Sequence, residues 1–449
     1  MIRLARVVAL GLAAMLLMAP HPVRAGETVT AVAADSLSVP ECVALARGHA
    51  PAVLAAQFDR AAARADSTAT SMNARPALSL LAGATVAPKG FFDPTITNLG
   101  DYQLKLAMAW TAADGGSRAR ARERSAWGAA AARTRAMLET REAGVLAADL
   151  AFKLLRTQQE IALQRQGIEW LDRLGRLVGA GVTAGMRGSS DSIRVALERD
   201  VVAAALDAAR LEAQTTGFEL ANLIGRDLDA PLTIREPGEA SGRGPERSDS
   251  TALIASIDSQ PELALARVDE MLGRLDVQDA RRRNAPAVQV VVDAGLAGAD
   301  LTRKVPLDLQ AEHPSAGLGD RLRRDLGASA AVQFQLPLLD RAAPSAVSAR
   351  EAALRAAQLR RSAELGAQRR RAATLLAQWR GAWRQLDAAE RTQARAERSL
   401  LKVRSLYTAG ATPLLDLLDA WRVVTDARER WVSARQENAM AQLLVEDRR

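Results

Sequence analysis

One spacing constrains this chain more than any other. Thr183-Ala184-Gly185 with Asp191 is repeated as Thr408-Ala409-Gly410 with Asp416, each position displaced by 225 residues (183 to 408). The register continues downstream, where Ala209, Arg210 and Glu212 match Ala434, Arg435 and Glu437. Pro51 and Pro261, Pro76 and Pro286, and Asp114 and Asp340 form further pairs in the same order. A match this long, at this separation, means that one structural unit was duplicated. Each half reads as short segment, proline, short segment, proline, strand pair, long segment, glycine turn, long segment.

Prolines bound the helices. None lies between Pro94 and Pro231, or between Pro344 and Pro413. Proline inside a helix costs about 3 kcal/mol, so these tracts permit long helices. The expected first repeat is 26–230, with a short helix, strands at 76–88 and 101–111, and helices at 114–182 and 189–224. The expected second repeat is 260–449, with strands at 286–297 and 328–338 and helices at 344–409 and 413–446. At about 1.5 Å per residue, the longer helix of each half spans roughly 100 Å. Apolar residues recur at three and four, as in Leu376, Trp379, Trp383 and Leu386, or Leu415, Leu418, Trp421 and Val424. That is coiled-coil spacing, and elsewhere the seam is mostly alanine. The pattern leaves open a two-helix hairpin or a larger helical cylinder. Between the halves, 231–259 is expected to be a linker, flexible over the Pro/Gly/Ser-rich stretch 235–251.

The strand candidates alternate strictly. Leu78, Leu80, Ala82 and Ala84 share one face; so do Tyr102, Leu104, Leu106, Met108 and Trp110, with Gln103 and Lys105 opposite. Val288, Val290 and Val292 oppose Gln289 and Asp293, and Val332, Phe334 and Leu336 oppose Gln333 and Gln335. Period two means one apolar and one polar face. Lengths of about 9–11 residues suit a tilted strand crossing a bilayer. Tyr102 and Trp110 bracket one strand as candidate membrane-interface anchors. A soluble half-buried sheet alternates in the same way. The membrane reading is preferred because two hairpins fed by such long helices have no evident soluble core to cover. Four strands cannot close a membrane barrel, so this reading demands an oligomer that pools them.

The start reads as a secretory signal, 1–25. Arg3 and Arg6 precede an apolar run to Met18, and Val23-Arg24-Ala25 is a small-residue cleavage site. The single cysteine, Cys42, permits no intrachain disulfide and reads as a small apolar residue on the first helix. The pI near 10.4 comes from arginines interspersed with carboxylates, which fits a solvated helical face and not a nucleic-acid site. No nucleophile–base set, metal-ligand cluster or phosphate loop is visible, so neither an enzyme nor a cofactor is expected.

Three stretches carry a resemblance. They are Leu37 to Ala46 followed by Pro51; Leu223-Ile224-Gly225; and Tyr407-Thr408-Ala409-Gly410 followed by Asp416-Leu417-Leu418-Asp419-Ala420. In this order and duplication they resemble the TolC family of outer-membrane efflux proteins across the mature chain. The resemblance implies a mainly helical homotrimer. Each chain would give four strands to a twelve-strand barrel among outer-membrane lipid, continued by a long periplasmic α-helical barrel. It implies a passive exit duct for drugs, metals or proteins, working with a periplasmic adaptor and an inner-membrane transporter. A periplasmic adaptor, or a structural coiled coil of the envelope, is the alternative.

By the same resemblance the two glycine turns form the periplasmic tip, where Gly185, Arg187, Asp191, Gly410 and Thr412 would meet the adaptor. Asp416 and Asp419 match paired aspartates that ring the closed entrance. A purely structural role for them, at a helix N-terminus, is the competing reading. Some relatives latch the tip with an arginine in the second turn, where this chain has Thr412. Two arrangements stay open: Arg187 of the first turn takes over the latch, or the tip is held otherwise.

Overall fold

The structure, a computed structural model, describes residues 36–73, 75–86, 100–185, 187–228, 232–236, 244–299, 325–338 and 340–449. The expected signal segment and most of the two strand-to-strand loops lie outside these residues. The first repeat runs α1 (Val39–His49), α2 (Pro51–Met72), β1 (Ala77–Val86), β2 (Gly100–Asp114), α3 (Ser117–Thr183) and α4 (Ser189–Ile224). The second runs α5 (Arg247–Ala255), a 3-10 turn (Ser256–Ser259), α6 (Pro261–Arg281), β3 (Ala287–Ala299), β4 (Leu326–Gln335), α7 (Ala343–Thr408) and α8 (Leu414–Glu446).

Local chemistry sets the element ends. Ser38 caps α1 in a reciprocal capping box with Glu41. Pro51 and Pro261 open α2 and α6, where a missing N–H is harmless. Asp114 accepts from the backbone N–H groups of Gly116 and Arg118 at 3.0 and 2.7 Å, turning β2 into α3. Its counterpart Asp340 accepts from Ala342 N–H at 3.0 Å just before α7. The duplicated aspartates therefore mark the same corner twice.

Several boundaries differ from the sequence expectation: β2 runs on to Asp114, α3 starts only at Ser117, and two further segments depart more. β4 begins at Leu326 and ends at Gln335, short of 338, because Pro337 has no N–H to give a ladder. The bridge 231–259 is not all loop. Part of it lies outside the described residues, but Arg247–Ala255 is helical, and Asp249 accepts from Glu246 N–H at 2.8 Å to start the turn.

α3 and α7, of 67 and 66 residues, reach about 100 Å each. Each folds back through a five-residue turn onto its partner, α4 or α8. Alanines set the closest packing. Ala147, Ala148 and Ala151 of α3 are fully buried against Val39, Cys42, Val43 and Ala46 of α1. Burial pushes the Cys42 thiol up to about 11, as suits a small core residue. A second cluster lies towards the turns, with Leu171, Leu174, Val178, Val195, Tyr407, Leu414, Leu418 and Trp421. A third packs Leu253 and Ile257 of the bridge on Leu376 and Trp379 of α7 and Val445 of α8. The two repeats are also tied at their ends. Leu37 N–H donates to Thr233 O at 3.0 Å, and Arg235 N–H donates to Leu37 O at 2.7 Å. At the chain terminus Asp447 accepts from Arg141 at 2.9 Å, and Arg448 donates to Gln368 and Glu262 at 2.9 and 3.3 Å.

The four strands form one antiparallel sheet in the order β1-β2-β3-β4. Its middle joint, β2 to β3, pairs the first repeat with the second, for example Leu104 with Leu296 and Met108 with Val292, and carries a bulge at Thr111/Ala113. Among the described residues β1 and β4 each lack a neighbour on their outer edge. No helix of the described residues is long and apolar enough to cross a membrane.

Candidate channel gate and membrane sheet

The two turns close alike. Gly185 has φ +70° and donates to Val182 O at 2.9 Å; Gly410 has φ +74° and donates to Tyr407 O at 3.1 Å. A Cβ in this left-handed region costs roughly 1–2 kcal/mol. Nothing lies within 4 Å of where either Cβ would sit. Backbone conformation, not crowding, therefore demands glycine, and both tips are open on that side.

The side chains around the turns differ between repeats. Arg187 reaches from the first turn to the end of α7, where it donates to the Tyr407 hydroxyl. Its guanidinium carbon lies 4.3 Å from the centre of the Tyr407 ring. Gly181 makes room, since a Cβ there would come within 2.9 Å of Arg187 Cδ. Tyr407 itself is buried. Burial raises its hydroxyl pKa, Arg187 opposes that, and the nearby charge of Asp191 adds to it. Arg187, Asp191 and Tyr407 thus form one cluster. Thr412 turns elsewhere: its hydroxyl donates to Asp416 at 2.7 Å.

Asp416 and Asp419 stand exposed near the start of α8, close to one helical turn apart. Asp419 lies 3.5 Å from Arg422, whose Nε donates at 2.9 Å to Glu198, a buried carboxylate of α4. Behind them Trp170 of α3 stacks on Trp421 of α8, with ring centroids 5.1 Å apart and planes 5° from parallel. A Cβ on Gly167 would sit 3.1 Å from the Trp421 ring, so α8 approaches α3 closely here. From the sequence Tyr407 entered only as part of a motif and Trp421 only as a seam residue, and Glu198, Arg422 and Trp170 were not singled out. One signal was available for Tyr407: it is one of only two tyrosines and adjoins the repeated Thr-Ala-Gly.

The sheet has two unlike faces. Leu78, Leu80, Leu104, Leu106, Val332 and Phe334 lie on one and are each 47–70% exposed, so no described part of the chain covers that face. Tyr102 and Trp110 share it at opposite ends of β2. Eight residues at about 3.3 Å separate them by roughly 26 Å, against an apolar band of about 25 Å in outer-membrane barrels. The Tyr102 hydroxyl donates to Asp325 beside β4, and Trp110 is 39% exposed. The opposite face carries Gln103, Lys105, Gln289, Asp293, Ser329 and Gln333.

An uncovered apolar sheet face with edges unpaired among the described residues, continued by two helices about 100 Å long, is the form a subunit of an outer-membrane channel would take. The comparisons agree. The family profile "Outer membrane efflux protein" matches residues 255–444. A membrane protein from Pseudomonas aeruginosa superposes with TM-score 0.75 at 17% identity, over 96% of this chain and 99% of that one. The outer membrane protein VceC of Vibrio cholerae gives 0.73 at 16% identity, over 91% and 95%. The open state of the MtrE outer membrane channel of Neisseria gonorrhoeae gives 0.73 at 15% identity, over 94% and 93%. Comparison with curated protein sequences returns no match. The second repeat thus matches the outer membrane efflux protein profile, and over nearly its whole length the chain has the TolC-like fold. The matched profile and the three superposed structures are all described as membrane or outer-membrane proteins.

Proposed function

We propose that three copies of this chain close a twelve-stranded barrel and serve as the outer-membrane duct of a tripartite export system. Drugs, metals or proteins would pass from an inner-membrane transporter and a periplasmic adaptor to the outside. One observation carries the reading: the sheet is apolar on one face and unpaired at both described edges. Lipid does not tolerate open edges, so other copies must complete the ring. A stripe on α4, Ile193, Leu197 and Val201, supports this. It follows one helix face at four-residue spacing, and each residue is more than half exposed.

At the tip, Asp416 and Asp419 from three chains place six carboxylates around one passage. Such a ring attracts cations and repels anions. The Arg187–Tyr407 contact joins the two hairpins of a chain and acts as the latch, in the place the second-turn arginine holds in some relatives. Gly185, Arg187, Asp191, Gly410 and Thr412 form the surface that an adaptor would read. Tyr102 and Trp110 anchor the barrel at its two interfaces. Opening is an iris-like motion of α7 and α8 against α3 and α4, a two-state change whose closed form is held by a few polar contacts.

The test is extraction and reconstitution of the mature protein. The expected result is a detergent-requiring trimer that resists mild SDS and forms discrete channels in planar bilayers. A water-soluble monomer with no channel activity would overturn the proposal.

A further inference from the structure

We infer that Lys105 and Asp293 form a charge-balanced belt inside the barrel and set its ion selectivity. The inference rests on reading the sheet as the wall of a shared pore. If the apolar face meets lipid, the opposite face lines the lumen. Between the strand ends, Lys105 and Asp293 are the charged residues among the described side chains of that face. Lys105 Nζ lies 3.4 Å from Asp293 Oδ2, and Ser329 Oγ donates to Asp293 Oδ1 at 2.6 Å. An ammonium from β2, a carboxylate from β3 and a hydroxyl from β4 thus lie in one line across three adjacent strands.

Around Gly295 the floor is low. Gly295 pairs with Lys105, Ala107 with Asp293, and Gly327 with Gly295. The floor cannot rise at Gly295, where a Cβ would lie 2.2 Å from the Leu104 carbonyl oxygen. Leu81 of β1 and Gln103 of β2 flank Lys105 on the other side, and both charged side chains stay partly open to solvent, at 31% and 22%. Repeated by threefold symmetry, the line becomes three ammonium–carboxylate pairs at one level. Paired, they cancel and leave the barrel open to solutes of either sign. Unpaired, either member would leave three like charges in a confined lumen, which is how side-chain rings select ions.

Reversal potentials in planar bilayers under a KCl gradient test this. All channels carry Asp416→Ala and Asp419→Ala, which removes the entrance carboxylates from the readout. Lys105→Gln should raise the potassium-to-chloride permeability ratio at least about threefold at low salt, and Asp293→Asn should lower it by a similar factor. The double variant Lys105→Gln/Asp293→Asn should return to the parent ratio. All shifts should vanish in 1 M salt, where screening acts within about 3 Å. Labelling of intact cells with a membrane-impermeant thiol reagent checks the facing independently, because the only native thiol, Cys42, is buried. Lys105→Cys should react and Leu106→Cys should not. Normal channels whose reversal potential neither single substitution moves would overturn the belt, as would labelling at 106 but not at 105. A parent protein that forms no channel would instead overturn the pore reading.

Discussion

Arg187 lies over the ring of Tyr407, 220 residues away, and donates to its hydroxyl, so the first helical turn grips the end of the second long helix. A cation–π contact and a charged hydrogen bond on a buried ring together contribute about 1–3 kcal/mol. Losing them should shift the closed-to-open ratio of the tip by about 5- to 150-fold in each chain. Arg187→Ala is therefore expected to raise the mean single-channel conductance. Tyr407→Phe, which keeps the ring and loses the hydroxyl, should lie between. Gly181→Ala should act like Arg187→Ala, because its methyl group would fall 2.9 Å from Arg187 Cδ. Conductances unchanged in all three would dismiss the latch.

Replacing Asp416 and Asp419 with alanine should weaken block by multivalent cations added on the periplasmic side, by at least about tenfold. Asp416→Asn should have a partial effect, since Thr412 can still donate to an amide oxygen. A dose–response curve for block in planar bilayers gives the comparison, and a curve unmoved by the double change would leave these aspartates a local structural role.

Trp421→Ala should destabilise the packing of α8 on α3. The side chain is largely buried, and truncation of a buried tryptophan typically costs about 3–5 kcal/mol. Near-ultraviolet circular dichroism should lose the signal of the stacked Trp170–Trp421 pair, and thermal unfolding should move to lower temperature. Gly167→Ala, which would press on the Trp421 ring, should move both in the same direction by less. A native spectrum in Trp421→Ala would show that the stack does not form.

Glu429 of α8 and Glu160 of α3 both have their pKa raised, in each case first by burial. For Glu429 the charges of Glu160 and Asp426 add to this and a hydrogen bond from Gln164 opposes it; for Glu160, Arg156 opposes and Glu212 adds. A carboxylate raised above its unfolded value takes up its proton more readily when folded. The penalty is fully present above the raised value and lifts as pH falls towards the unfolded value. Glu429→Gln should therefore melt above the parent at neutral pH, with the gap narrowing as the solution is acidified towards the ordinary carboxylate range. A gap that widens on acidification would contradict the assignment.

The parts legible in the sequence were those carried by short periods. Strict alternation exposed the faces of the sheet, because side chains two apart share a face regardless of partners. Long proline-free tracts exposed α3 and α7 for an equally local reason. The bulge at Thr111/Ala113 left no such trace, since an extra residue shows only against a paired strand. α5 was hidden because glycine, proline and serine dominate the segment before it, and its packing on α7 through Leu253 is tertiary. Gly185 and Gly410 could be placed by the repeat alone. The partners of the tip could not, because Arg187 with Tyr407 and Glu198 with Arg422 meet across the two halves. Repetition identifies equivalent positions, but it does not say which of them touch.

The pairing of β2 with β3 reaches beyond a single subunit. In the duplicated chain β4 corresponds to β2, and β1 to β3, so the internal seam has the same order as the joint that would form between neighbouring copies. A closed ring of three then has six nearly equivalent junctions, alternately bridged by polypeptide and held by association alone. Such an assembly should come apart at three places before it comes apart at six.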